Sequence, residues 1–106
     1  MSDIKSILNT ARGKIVFDDL SMLDVVNDTV ADSDDLKEDM LQIQYDNNLI
    51  IDVGWYPSFS RKGKFTVVLI YNMDWDNPVR KKTARTWSTL LETLKEIIAV
   101  ANSFQA

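Results

Sequence analysis

The amino-acid sequence predicts an α+β domain: an antiparallel four-strand meander packed by a C-terminal helix, with an N-terminal helix and an acidic segment ahead of it. Apolar and polar residues alternate in successive short runs from Leu41 onward, which is the period of strands. Turn residues, Asp46-Asn47-Asn48 and Asn77-Pro78 among them, separate those runs. From Leu90 the apolar spacing changes to that of a helix. A chain of 106 residues fits a single domain, 1–106, with one modest core.

The first element is a short helix. Ile4, Ile7, Leu8 and Ala11 recur on one helical face, with Ser2 as a cap and Gly13 as a stop. Lys14-Ile15-Val16-Phe17 reads as a short strand or an extended link. Between Asp18 and Asp39 the chain carries nine carboxylates and one lysine, Lys37. Leu20, Met22, Leu23, Val25, Val26, Val30 and Leu36 punctuate that stretch, so it should fold against the body rather than stay disordered.

Parity decides the first hairpin. Leu41, Ile43 and Tyr45 form one apolar row, and Leu49, Ile51, Val53 and Trp55 form the next. A two-residue loop would set Asp52 opposite Ile43, inside the apolar row. A three-residue loop with left-handed Asn48 opposes Ile43 to Ile51 and Leu41 to Val53, and is preferred. Pro57 and Gly63 bound the next loop. The strand Lys64 to Asn72 is apolar on both rows, so it should be central and covered on both faces. After the turn Met73–Pro78, residues Val79 to Thr86 read as a Lys/Arg-rich edge strand, protected by charge against edge pairing.

The last element is a helix. Ser88 or Thr89 can cap it, and Thr89 with Glu92 has capping-box spacing. Leu90, Leu91, Leu94, Ile97, Ile98, Ala101 and Phe104 make one stripe, which should lie across the sheet row from Leu41 to Tyr71.

Composition narrows the function. The formal net charge is −4 and the pI about 4.6, which argues against nucleic acid as a direct ligand and favours a basic partner. There is no cysteine and no histidine. That excludes disulfides, conventional zinc sites, cysteine nucleophiles and Ser-His-Asp triads. Met1-Ser2-Asp3-Ile4-Lys5 does not open a secretory signal, and no apolar run approaches the roughly 18–20 residues that span a bilayer. The expectation is therefore a cytoplasmic protein with no cofactor, no metal, no membrane contact and no catalytic activity, acting by binding another macromolecule.

The motifs support no enzyme. A calcium loop begun at Asp28 or Asp32 has Ser33 or Lys37 where the sixth-position glycine is required. Paired carboxylates for glycosidic chemistry lack a surrounding cleft. Gly54 and Gly63 stand alone and make no phosphate loop. Arg80, Lys81, Lys82 and Arg85 near Trp87 could hold single-stranded nucleic acid, a reading the net acidity opposes. Trp55 and Trp87 are core candidates. Trp75, in a turn between Asp74 and Asp76, is either an interface anchor or packs on the sheet edge.

Ile51-Asp52-Val53-Gly54-Trp55-Tyr56-Pro57, Gly63-Lys64-Phe65 and Asp74-Trp75-Asp76-Asn77-Pro78 together resemble immunity proteins of bacterial contact-dependent growth inhibition systems. The likeness covers residues 49–98. It implies a small cytoplasmic protein that binds and neutralises the toxic C-terminal domain of a cognate effector, commonly a nuclease and often one acting on transfer RNA. It carries over no binding residues, and Gly54, Pro57 and Pro78 of the motif read as structural: a close approach, a strand end and a strand start.

An acidic protein can occupy a basic nuclease site by matching the substrate's charge. The candidate partner-binding residues are therefore Asp18, Asp19, Asp24, Asp28, Asp32, Asp34 and Asp35, with Asp74, Trp75 and Asp76. Two other modes stay open. The chain could be a cytoplasmic adaptor or chaperone-like module, or the partner could add a strand at the sheet edge.

Overall fold

A computed structural model describes residues 3–104. Helix α1 spans Ile4–Leu8 and buries Ile4, Ile7 and Leu8. Its cap is Asp3, whose carboxylate accepts from the Ser6 N–H at 2.8 Å, whereas the expected cap Ser2 lies outside the described residues. The helix stops at Asn9, well short of Gly13. The reason is tertiary: the Asn102 side chain, far along the chain, donates to the Thr10 carbonyl at 2.8 Å and accepts from the Arg12 N–H at 3.0 Å. Those backbone groups are satisfied without another helical turn.

The sheet has five antiparallel strands, not four. Strands β1 (Lys14–Asp18), β4 (Leu41–Gln44), β5 (Leu49–Tyr56), β6 (Lys64–Tyr71) and β7 (Arg80–Ala84) lie in that order across it. The meander is thus extended by Lys14–Asp18, which pairs with β4 around a bulge between Ile15 and Phe17. The β4–β5 register opposes Ile43 to Ile51 and Leu41 to Val53, and Asn48 adopts φ 68, as parity required. Strand β6 is interior, but its two rows differ: Phe65, Val67 and Leu69 are buried on one face, while Thr66 and Val68 on the other are half-exposed. Strand β7 forms the charged edge.

Helix α2 (Trp87–Asn102) covers the row Leu41, Ile43, Ile51, Val53, Phe65, Val67 and Leu69 with Leu90, Leu94, Ile97, Ile98 and Ala101. Each fully buried aliphatic side chain there contributes roughly 1.5–3 kcal/mol. Trp55 and Trp87 flank Phe65 edge-on, with ring centroids 4.8 and 6.2 Å away. The helix begins two or three residues earlier than the sequence suggested, because Thr86 is the cap and its hydroxyl accepts from the Thr89 N–H at 3.3 Å. Ser88 is already engaged by Asp28.

The acidic stretch folds onto the body. It forms a small hairpin, β2 (Val25–Val26) and β3 (Thr29–Val30), closed by left-handed Asn27 and Asp28, and then a 3₁₀ turn at Ser33–Asp35. Leu20, Val30, Leu36 and Met40 carry it into the core. Residues Lys37 to Met40 then run beside β5, with the Trp55 N–H bonded to the Lys37 carbonyl at 2.8 Å and the Met40 N–H to the Val53 carbonyl at 2.9 Å. Glu38 bulges over Gly54 between those bonds. A Cβ on Gly54 would overlap the Glu38 carbonyl, so glycine is required by close approach.

Candidate protein-binding surface

Several of the acids singled out in the sequence hold the fold together. Asp18 accepts from the N–H groups of Leu20 and Ser21 at 3.0 and 2.9 Å and from the Ser21 hydroxyl at 2.6 Å. Asp32 caps the 3₁₀ turn through the Asp34 N–H at 2.9 Å. Asp28 accepts from the Ser88 N–H and hydroxyl at the start of α2. Those two bonds, the hydroxyl first, hold the Asp28 carboxyl below its ordinary range. Asp19 pairs with Lys37 at 2.9 Å. With Asp35 and the exposed Met22, these two residues line one shallow depression. Asp24 and Asp34 are exposed.

The remaining candidates lie on a different surface. Side chains alternate across a sheet, so Gln42, Gln44, Ile50, Asp52, Thr66, Val68 and Ile70 occupy the face away from α2. The turn after β6 folds back over that face. Left-handed Asn72 and Met73 make it tight, and the Asp74 N–H closes it on the Tyr71 carbonyl at 3.2 Å. Ile50 and Ile70 are buried on this side although they lie outside the main core. Trp75 remains 45% exposed and stands between two hollows. One, of about 380 Å³, includes Gln42, Gln44, Ile50 and Met73; the other, of about 360 Å³, is lined by Asp52, Tyr56, Thr66, Val68 and Lys81. Asp74 and Asp76 flank Trp75 and are exposed.

Asp52 is the residue that sequence reasoning passed over. Parity had removed it from the apolar row, which already implied that it faces the other way. It accepts from the Gln42 amide at 3.2 Å, and Gln44 in turn donates to Gln42 at 3.0 Å. Burial raises the Asp52 carboxyl above its ordinary value, and Asp39 adds to this against the hydrogen bond from Gln42. Tyr56 lies beside it, its hydroxyl donating to the Glu38 carbonyl at 3.2 Å. Burial first, then Asp52, Asp39 and Glu38, raise the Tyr56 phenol. Asp52, with Asp39 and Glu38 near Tyr56, thus adds negative charge to the surface where Asp74 and Asp76 flank Trp75. Among the described residues, none of the acids from Asp18 to Asp35 lines either hollow beside Trp75.

The basic run is divided by the strand period and by an ion pair. Lys82 bonds Glu96 on α2 at 2.7 Å, whereas Lys81 lies on the helix-free face. Among the described residues, no three carboxylates converge as a metal site requires, and no helix is long and apolar enough to cross a membrane.

Comparison with protein-family models, with curated proteins and with solved structures finds no match to this chain.

Proposed function

We propose that this chain is a cytoplasmic inhibitor that works by tight, non-covalent binding to another protein and not by catalysis. The observation that carries the reading is Trp75: a large aromatic, half-exposed between two hollows, on a sheet face that no helix covers. Large aromatics in such settings dominate binding energy when a partner desolvates them. Asp52 in the hollow it shares with Tyr56, and the exposed Asp74 and Asp76 on either side of it, favour a positively charged partner surface.

The partner we propose is the toxin domain of a contact-dependent inhibition effector, a nuclease of the kind that cleaves transfer RNA or other nucleic acid. The resemblance of residues 51–57, 63–65 and 74–78 and the net charge of −4 support this identity. Co-expression with the product of the gene directly upstream tests it. The two proteins should co-purify, and the chain should suppress cleavage of RNA, transfer RNA included, in proportion to its amount. Co-purification without loss of activity would favour the adaptor or chaperone-like reading instead.

A second contact mode has its own observation. On edge strand β1, Ile15, Val16 and Phe17 are each about 40% exposed, which suits addition of a partner strand. The bulge at this edge shortens the ladder available for pairing, so the helix-free face remains the preferred surface.

A further inference from the structure

The hollow beside Tyr56 and Trp75 has a chemistry more specific than that of the face around it. Two aromatic side chains and one carboxylate, Asp52, line a space of about 360 Å³, enough for one long side chain. Tyr56 is held in place. Its hydroxyl is bonded to the Glu38 carbonyl, and its ring lies against Gly54, where an added Cβ would come within 3.0 Å of it. Gln42 occupies only one oxygen of Asp52, leaving the other to accept. The ion pairs among the described residues are Lys37–Asp19 and Lys82–Glu96, so Asp52 is in no ion pair with a described cation. Lys81, the other charge in the hollow, is separated from Asp52 by Val68 in the cross-strand register. Two strand spacings put its backbone about 10 Å from that of Asp52.

We propose that this hollow receives one cationic side chain of the bound protein, an arginine, seated against Tyr56 and Trp75 with its guanidinium on Asp52. Aromatic faces attract a cation, and guanidinium stacks on them while donating to a carboxylate in its own plane. The neighbouring carboxylates Asp39 and Glu38 add to the attraction. Burial first, and Asp39 after it, oppose ionisation of Asp52, and a guanidinium seated on the carboxylate offsets both. The proposal rests on the reading of the helix-free face as the docking surface and names what that face recognises.

The test uses N-acetyl-arginine amide as the probe, with the uncharged isostere N-acetyl-citrulline amide as control, followed by chemical shifts of the full chain. Arginine should shift the Trp75 indole N–H and the Asp52 amide in a saturable, salt-sensitive way, and citrulline should not. Asp52→Asn and Trp75→Ala should each weaken arginine binding roughly fivefold or more. Lys81→Ala should leave it unchanged or tighter. Equal shifts from citrulline, or arginine binding that persists in Asp52→Asn, would overturn the proposal. Co-purification with the upstream gene product is a separate measurement, so loss of the arginine site and loss of the docking reading are distinguishable.

Discussion

Asp28, at the tip of a small hairpin, closes the N-terminus of a helix that begins far along the chain: its carboxylate accepts from the Ser88 N–H at 2.8 Å and from the Ser88 hydroxyl at 2.7 Å. The Trp87 N–H bonds the Asp28 carbonyl at 3.0 Å beside them. The helix's unsatisfied donors and its positive end are thus met by a residue from the acidic stretch. This bond has a direct consequence for mutational tests of that stretch. At Asp28, Asp18 and Asp32 a charge scan reads folding together with any partner contact, so melting temperature must be measured beside affinity there.

Asp28→Gly should lower the melting temperature, and Asp28→Asn should lower it less. Glycine suits the left-handed backbone at φ 64, so the loss isolates the carboxylate. The native carboxyl lies below the ordinary 3.8, so its stabilisation is complete above that value and is lost as pH falls through the depressed one. Thermal melts of Asp28→Gly against the unmodified chain should differ at pH 7 and converge in strong acid. A difference that persists unchanged in acid contradicts the assignment.

Asp52→Asn should act in the opposite direction. The native carboxyl is raised, so the folded state ionises it at a cost that is absent below 3.8, where both states are protonated. The cost builds as pH rises through the raised value. Removing the charge while keeping an amide for Gln42 should stabilise the protein at pH 7, by less than about 1 kcal/mol because solvent screens this half-exposed group. The gain should vanish below pH 3.8. Destabilisation at pH 7 would show that Asp52 has a structural cation partner.

Gly54→Ala should destabilise the chain by about 1–3 kcal/mol through overpacking against the Glu38 carbonyl. Urea midpoints measure this. An unchanged midpoint would mean that the Lys37–Met40 segment moves away freely, and with it the support of Tyr56.

Trp75→Ala should weaken partner binding at least tenfold, about 1.4 kcal/mol, while leaving the helical circular-dichroism signal intact. Titration calorimetry with the co-purified partner reads the affinity. Val16→Lys, on the exposed β1 edge, should leave affinity unchanged. The reverse pattern would move the contact from the sheet face to strand addition.

The strand period and turn chemistry made most of the scaffold legible. The β4–β5 register, the left-handed Asn48, the charged edge β7 and the apolar stripe of α2 all follow from local pattern. The candidate surface was legible only in part. Trp75 stood out because a turn offered it no burial, and its exposure agrees. The carboxylates stood out by density, but density does not show which are already bonded.

By itself, the sequence determined the α+β class, the alternation of the meander and the amphipathic face of α2, because these depend on spacing along the chain. It also determined the close backbone approach at Gly54, since only a missing Cβ permits one. Tertiary structure decided what depends on residues meeting across the chain. Asn102 ended α1 early, Asp28 closed α2, β1 became a fifth strand, and the turn carrying Trp75 folded over Ile50 and Ile70. It also brought Asp52 into the hollow with Trp75 and set Asp39 and Glu38 near Tyr56, because a carboxylate's surroundings are set by the donors and charges that packing brings to it.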